Sequence, residues 1–252
     1  MPPLVSHMIA ARRAAAQLRD GALRGSAGAY VLGATSPDVR VMTRWDRDRT
    51  HFFDLDNFGH QDSVAGFFAA CPGLQEPADL NTETRAWTCG FLTHLIMDEH
   101  YIHTIYRPHF GLRSPLGGSD RANLLDRVLQ YELDRRERED RALMAELYGQ
   151  LREGSFAIEC DLIDRPTLEK WRDVSAEITQ SPPDWEAFGK VAARHLRDAR
   201  IDTPETFHDF LEQTPELLQE ALRSVDTASV ESFFEDVTER AVACLRDYLA
   251  TS

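Results

Sequence analysis

Apolar positions recur at spacings of three and four along most of this chain, and no run alternates long enough to suggest a pair of strands. A helix is expected over 6–19, with Ser6 as N-cap, an Ala-rich body and Gly21 just past its end. A short helix over 26–32 leads into Gly33-Ala34-Thr35-Ser36-Pro37-Asp38-Val39, where Pro37 should drive Ser36 out of the helical region and leave Asp38 on a loop. Residues 42–57 have no clear period. Their His51-Phe52-Phe53 is an apolar island in charged surroundings, expected to fold inward rather than face water.

Further on, 60–70 reads as a short helix, and a central helix should run from about 80 to 106, where Pro108 stops it. Ser119 caps a long charged helix expected to reach 151, with Leu124, Leu125, Val128, Leu129, Leu133, Leu143 and Leu147 as its core stripe. Its acid and base run, 132–140, reads as a solvated face. Beyond 154 the helical pattern returns over 165–179, 184–199, 204–213, 215–225 and 229–249, several of these with Pro near the first turn. The expected fold class is therefore all-α, a multi-helix bundle. The expected organisation is one domain over 1–252, in which 155–252 could form a C-terminal helical extension.

One stretch breaks the apolar pattern. Residues 84–111 hold four of the nine histidines beside an acidic pair. On a 3.6-residue helix His94 and Asp98 lie one turn apart, with Trp87, Phe91, Tyr101 and Ile105 on or near the same face. Burying a carboxylate among aromatic rings costs several kcal/mol unless it is paired or bound to a cation. Such a pair also serves simply to hold a core histidine in one tautomer, and by itself it does not separate the two roles.

Composition narrows the setting. A net charge of −14 and a pI near 5.0 argue against binding to a nucleic-acid backbone, which needs clustered Lys and Arg, though not against a metal-dependent nuclease. No segment approaches the length of an apolar membrane span, and the first residues carry no basic stretch followed by a long apolar run, so a cytoplasmic protein is expected. Cys71, Cys89, Cys160 and Cys244 are far apart without a C-x-x-C pair, and read as small buried apolar residues.

The polar residues left unexplained are His7, Asp38, His51, His94 and Asp98. Neutral imidazoles and carboxylates in this mixture suit Zn²⁺, with Mn²⁺ or Fe²⁺ as alternative occupants. Spacing alone does not assign them to a single site. Their order, however, resembles the zinc-dependent phospholipase C superfamily, which includes related single-strand nucleases. The resembling features are His7 near the N-terminus, the Gly33-Ala34-x-x-Pro37-Asp38-Val39 loop, His51-Phe52, and Gly90-x-x-x-His94-x-x-x-Asp98.

The resemblance implies an all-α fold around a buried polynuclear centre of two or three zinc ions. Asp38, His51, His94 and Asp98 would hold one ion, and His7 with bridging Asp98 another, aided by a terminal amine at Pro2 once Met1 is removed. The chain departs from the family after Asp98, where the Pro and the later H-x-x-x-E are missing. Asp126 is one candidate to fill the gap, from a stripe with Gln130 and Asp134, and His103 is another. His103, like His100, rotates away from the His94/Asp98 face if the helix continues unbroken.

The implied activity is hydrolysis of a phosphodiester or phosphomonoester by metal-activated water, with Asp54 or Asp56 as general base by position. The expected partner is a phosphorylated small molecule or lipid headgroup, with oligomeric state left open. The rival classes are a non-catalytic helical protein with a structural metal, and a metal site recruited to other chemistry, iron-dependent for example.

Overall fold

The structure, a computed structural model, describes residues 2–153, 157–225 and 227–250. It is all-α, with no strand among the described residues. The elements in order are α1 (Leu4–Leu18), α2 (Gly21–Gly25), α3 (Ala27–Thr35), a 3₁₀ turn at Ser36–Val39, α4 (Arg40–Thr43), α5 (Asp48–His51) and α6 (Ser63–Ala70). Then come α7 (Thr82–Tyr101), continued by a π-helical stretch at Ile102–Phe110, α8 (Asp120–Glu137), α9 (Arg141–Glu153) and α10 (Arg165–Gln180). The chain ends with α11 (Phe188–Val191), α12 (Ala193–Asp198), α13 (Pro204–Ser224) and α14 (Thr227–Ala250).

Several expected boundaries move, each for a local reason. Ser6 is not a cap, because α1 already begins at Leu4 and buries Ser6. Ser36 keeps helical angles, φ −61° and ψ −34°, since Pro37 sits in the first turn of a 3₁₀ segment, where a missing N–H costs nothing. The helix capped by Ser119 stops at Glu137, and a second begins at Arg141. Pro215 is absorbed inside one continuous α13, which merges two expected helices. Pro108 likewise lies inside the π-helical stretch, whose wider turn is closed by the Gly111 N–H donating to the Tyr106 carbonyl at 2.7 Å. The expected start of a C-terminal extension, at 155, lies outside the described residues.

The chain divides into two compact units, neither of them continuous in sequence. The larger comprises Leu4–Glu99, Arg141–Ser181 and Phe234–Ser252. Its core joins Met8 and Tyr30 with Phe67, Trp87 and Phe91, and with Leu147 and Trp171. The Phe67 and Phe91 rings stack with centroids 4.6 Å apart, and Trp87 tilts against Phe91 at 5.1 Å. The cysteines are free thiols, with Cys89 buried and burial pushing Cys71 up to about 11.

The smaller unit comprises Met1–Pro3, His100–Asp140 and Pro182–Phe233. Here the run expected to be solvated is partly buried: Glu132 is 5% exposed, Asp134 2% and Arg138 4%. The burial is tolerated because Glu132 accepts 2.7 Å bonds from Arg135 and Arg136, and Asp134 faces Arg138 one turn on. His195 is half-buried, and its Nε2 accepts from Arg127 Nε at 3.1 Å.

Candidate metal centre

Within the larger unit, α3 and α7 cross at two glycines. A Cβ on Gly90 would collide with the Tyr30 carbonyl oxygen, and one on Gly33 with that of Trp87. Only hydrogen at both positions permits this approach. It carries the end of α3 against the middle of α7, so that His94 Nδ1 sits 2.8 Å from the Ala34 carbonyl oxygen. A carbonyl only accepts, so the ring must donate through Nδ1 and leave the Nε2 lone pair open.

The following 3₁₀ turn is fastened from two sides. Trp87 Nε1 donates to Ser36 Oγ at 2.9 Å, and Trp171 Nε1 donates to the Thr35 carbonyl at 2.9 Å. Asp38 is thereby held on the turn with 15% of its side chain exposed. Four-residue α5 delivers His51, which is 1% exposed. Thr50 Oγ1 donates to the Pro37 carbonyl at 2.8 Å, so toward His51 Nδ1, 3.0 Å away, it can only accept. His51 therefore also donates through Nδ1 and presents a bare Nε2.

The two bare nitrogens converge on Asp98. Its Oδ2 lies 3.3 Å from His51 Nε2 and 3.5 Å from His94 Nε2, while Oδ1 lies 3.4 Å from His7 Nε2. His51 Nε2 is also 3.5 Å from Asp38 Oδ1. The His7 ring, from the first turns of α1, stacks on His94 with centroids 3.7 Å apart. Thus His7, Asp38, His51, His94 and Asp98, spread over ninety residues of sequence, are brought together.

These groups perturb one another. Burial pushes the His51 imidazole down to about 4, against the pull of Asp38, so it is neutral over the physiological range. Burial and the neighbouring His94 also lower His7. Burial opposes ionisation of Asp98, but the neighbouring His94 and His7 hold it well below the usual carboxylate range. Asp38 is lowered in the same way, chiefly through His51. His94 is raised, because Asp98 outweighs the penalty of its burial.

The donor set meets the demands of zinc. His7 Nδ1 and Nε2, His51 Nε2, His94 Nε2 and Asp98 Oδ1 are all buried without a hydrogen-bond partner. Each such atom costs about 1–3 kcal/mol if left so. Tetrahedral zinc with bonds of about 2.0–2.1 Å places its ligands roughly 3.3–3.4 Å apart. The N···O separations here are 3.3–3.5 Å, long for hydrogen bonds and close to that spacing. Two overlapping triads have ligand atoms all within 4.8 Å of one another: His7, His94 and Asp98, and Asp38, His51 and His94.

The other residues expected near the centre have different settings. Asp54 and Asp56 are exposed, and Asp54 Oδ1 accepts from the Asp56 N–H at 2.9 Å inside their own loop. Asp126 is buried in the smaller unit, where Tyr101 Oη donates to it at 2.8 Å and Gln130 Nε2 at 2.7 Å. His103 is exposed on the π-helical stretch, and His100 stacks on Phe233 at 5.8 Å. Met1 lies outside the described residues.

Sequence reasoning did not single out Arg47. Its Nη2 lies 3.5 Å from Asp98 Oδ2, and its Nη1 donates to the Phe53 carbonyl. The available signal was its position four residues before His51, the spacing that also joins His94 to Asp98. Thr50 was likewise missed, because a hydroxyl that orients a ligand has no pattern of its own.

An all-α protein holding a buried His/Asp centre suited to divalent cations is the class that this fold and geometry define. Residues 6–137 match the family of zinc dependent phospholipase C, and the chain belongs to that family. That places it among metal-dependent, phosphoesterase-like hydrolases. No curated protein and no solved structure matches it. Among the described residues no helix is long and apolar enough to cross a membrane.

Proposed function

We propose that this protein is a zinc-dependent phosphoric ester hydrolase acting on a phosphodiester or phosphomonoester. The observation that carries this reading is the set of buried nitrogens of His7, His51 and His94 that lack hydrogen bonds and converge on Asp98. Asp38, His51, His94 and Asp98 would hold one ion, and His7 with Asp98 a second. When bound, zinc supplies Lewis-acid polarisation of a phosphoryl oxygen and acidifies water to near neutral pH.

The protein's own part is orientation and charge. The Ala34 carbonyl and Thr50 hydroxyl keep His94 and His51 in the tautomers whose Nε2 faces inward. Asp98, ionised by its neighbours, offers one oxygen to each side of the cluster. Asp54 or Asp56 would take the proton of the attacking water after the 54–61 loop rearranges. The reading takes 1–252 as one domain, working in the cytoplasm on a phosphorylated small molecule or lipid headgroup.

One observation favours a structural metal instead: His7 and His94 are 0% exposed and Asp98 2%, as in a closed site. The edge at Asp38 and Arg47, 15% and 13% exposed by side chain, is where a substrate would enter. The test is metal analysis of protein purified without added zinc, followed by turnover of bis(p-nitrophenyl) phosphate and p-nitrophenyl phosphate with and without chelator. Stoichiometric zinc with chelator-sensitive turnover is expected. Zinc without turnover of either ester returns the structural reading, and absence of zinc removes both.

A further inference from the structure

Phe52, the residue after His51, is bent into the left-handed region of the backbone, with φ 54° and ψ 27°. Glycine and asparagine take up that bend readily at helix ends, but for a bulky aromatic residue it is strained, so the surroundings must enforce it. α5 cannot supply the force. It is a single turn of four residues with no side-chain cap, too short to hold itself together.

The Phe52 ring is where the force enters. It meets the Phe67 ring edge-on with centroids 5.8 Å apart and tilts against Phe91 at 6.4 Å. Both partners are 0% exposed and stack on each other, Phe67 from α6 and Phe91 from α7 one turn before His94. The bend itself is pressed from α6 as well: a Cβ on Gly66 would stand 2.9 Å from the Phe52 Cβ, so only hydrogen fits there. Past the bend, the Phe53 carbonyl accepts from Arg47 Nη1, which ties the exit of α5 back to its entry. The side chain aimed by this arrangement is His51, whose Nε2 comes within 3.3 Å of Asp98 Oδ2.

We propose that Phe52 is a positioning residue: its ring, anchored on Phe67 and Phe91, holds a strained left-handed bend that points His51 into the metal centre. The proposal rests on the zinc reading above and is independent of ester hydrolysis. A residue that merely fills the core is sensitive to how many carbon atoms are removed, whereas one that holds a bend is sensitive to the backbone freedom of its replacement.

The test is competition titration of zinc against a chromogenic chelator for wild type, Phe52→Ala and Phe52→Gly. Both variants lose the ring, and glycine loses one carbon more, yet glycine adopts the bend without strain. Zinc affinity is expected to fall roughly 10- to 100-fold in the alanine variant, as for other groups that orient a ligand. The glycine variant should bind about tenfold more tightly than alanine, because it escapes the left-handed penalty on closing around the metal. Cobalt(II) in place of zinc reports ligand geometry through its visible absorption, which should shift in the alanine variant and lie closer to wild type in the glycine variant. Wild-type affinity in Phe52→Ala, or alanine binding zinc as tightly as glycine or more so, overturns the proposal. If Phe52→Ala does not fold, Phe52→Asn against Phe52→Leu carries the test, since asparagine tolerates the bend and leucine keeps the apolar bulk. Tighter zinc binding by the asparagine variant supports the proposal, and the reverse order overturns it. A wild type without zinc removes the zinc reading and this inference with it, whereas zinc held by wild type with alanine equal to glycine removes this inference alone.

Discussion

His94 Nδ1 lies 2.8 Å from the carbonyl oxygen of Ala34, sixty residues earlier in the chain, and that contact exists only because two glycines let their helices touch. A methyl at Gly90 has the Tyr30 carbonyl in its way, and backbone does not yield as a flexible side chain would. Gly90→Ala should therefore destabilise the fold by about 3 kcal/mol through forced separation of α3 and α7. Thermal melts of the metal-free proteins would measure it, and zinc titration should show weakened binding in whatever fraction stays folded. An unchanged melting temperature would mean that the crossing is looser than described.

The ligands themselves should respond in a graded way. His94→Ala and Asp98→Ala are each expected to lose zinc and ester turnover together, since both donors belong to the convergent set. Thr50→Val should be milder: it leaves every ligand in place but removes the acceptor for His51 Nδ1. Loss of such an orienting bond typically costs 10–100-fold in metal affinity. Competition titration against a chromogenic chelator would resolve that range, and equal affinity for Thr50→Val and wild type would refute the tautomer argument.

His103→Ala should keep its zinc and most of its turnover, because His103 is exposed on the π-helical stretch. A drop in zinc stoichiometry in this variant would place His103 among the ligands.

Metal and folding should be linked. Atoms such as the Nε2 nitrogens of His7, His51 and His94, buried without hydrogen bonds, leave the metal-free protein carrying a cost that zinc would remove. Chelation is expected to lower the melting temperature, and refilling with zinc to restore it. Identical melts in both states would argue that the cluster is a satisfied part of the core.

The smaller unit offers a pH test remote from the ligands. His195 is lowered to about 4 by its burial and by Arg127, whose donated hydrogen requires a neutral ring. Below about 6.5 the unfolded chain takes up a proton that the native ring refuses until about pH 4. The native state therefore loses stability as pH falls through that window and keeps it above. His195→Gln retains an acceptor for Arg127 and does not titrate, so urea unfolding at pH 7.5 and pH 5 should show a smaller acid loss than in wild type. Equal losses would show that His195 is not the group responsible.

Periodicity was enough for the all-α class, for the Ser119 cap and for the helix that carries His94 and Asp98, because each depends on neighbours within a turn or two. The order of His7, Asp38, His51, His94 and Asp98 also carried the family resemblance. Some local readings nonetheless failed. Pro215 and Pro108 stay inside helical segments, and Glu132 and Asp134 are buried because arginines one turn away neutralise them.

The choice between a core histidine pair and a metal centre was likewise beyond the sequence, since His94 and Asp98 one turn apart serve either purpose. Tertiary structure supports the second by bringing His7 and His51 to the same carboxylate, with the outer nitrogens of His51 and His94 already engaged by Thr50 and Ala34. Sequence settles which residue types lie on one helix face, because that depends on a fixed rotation per residue. Which faces meet, and which lone pairs remain for a cation, depends on backbone groups such as the Ala34 and Pro37 carbonyls, which every residue possesses and no sequence pattern distinguishes.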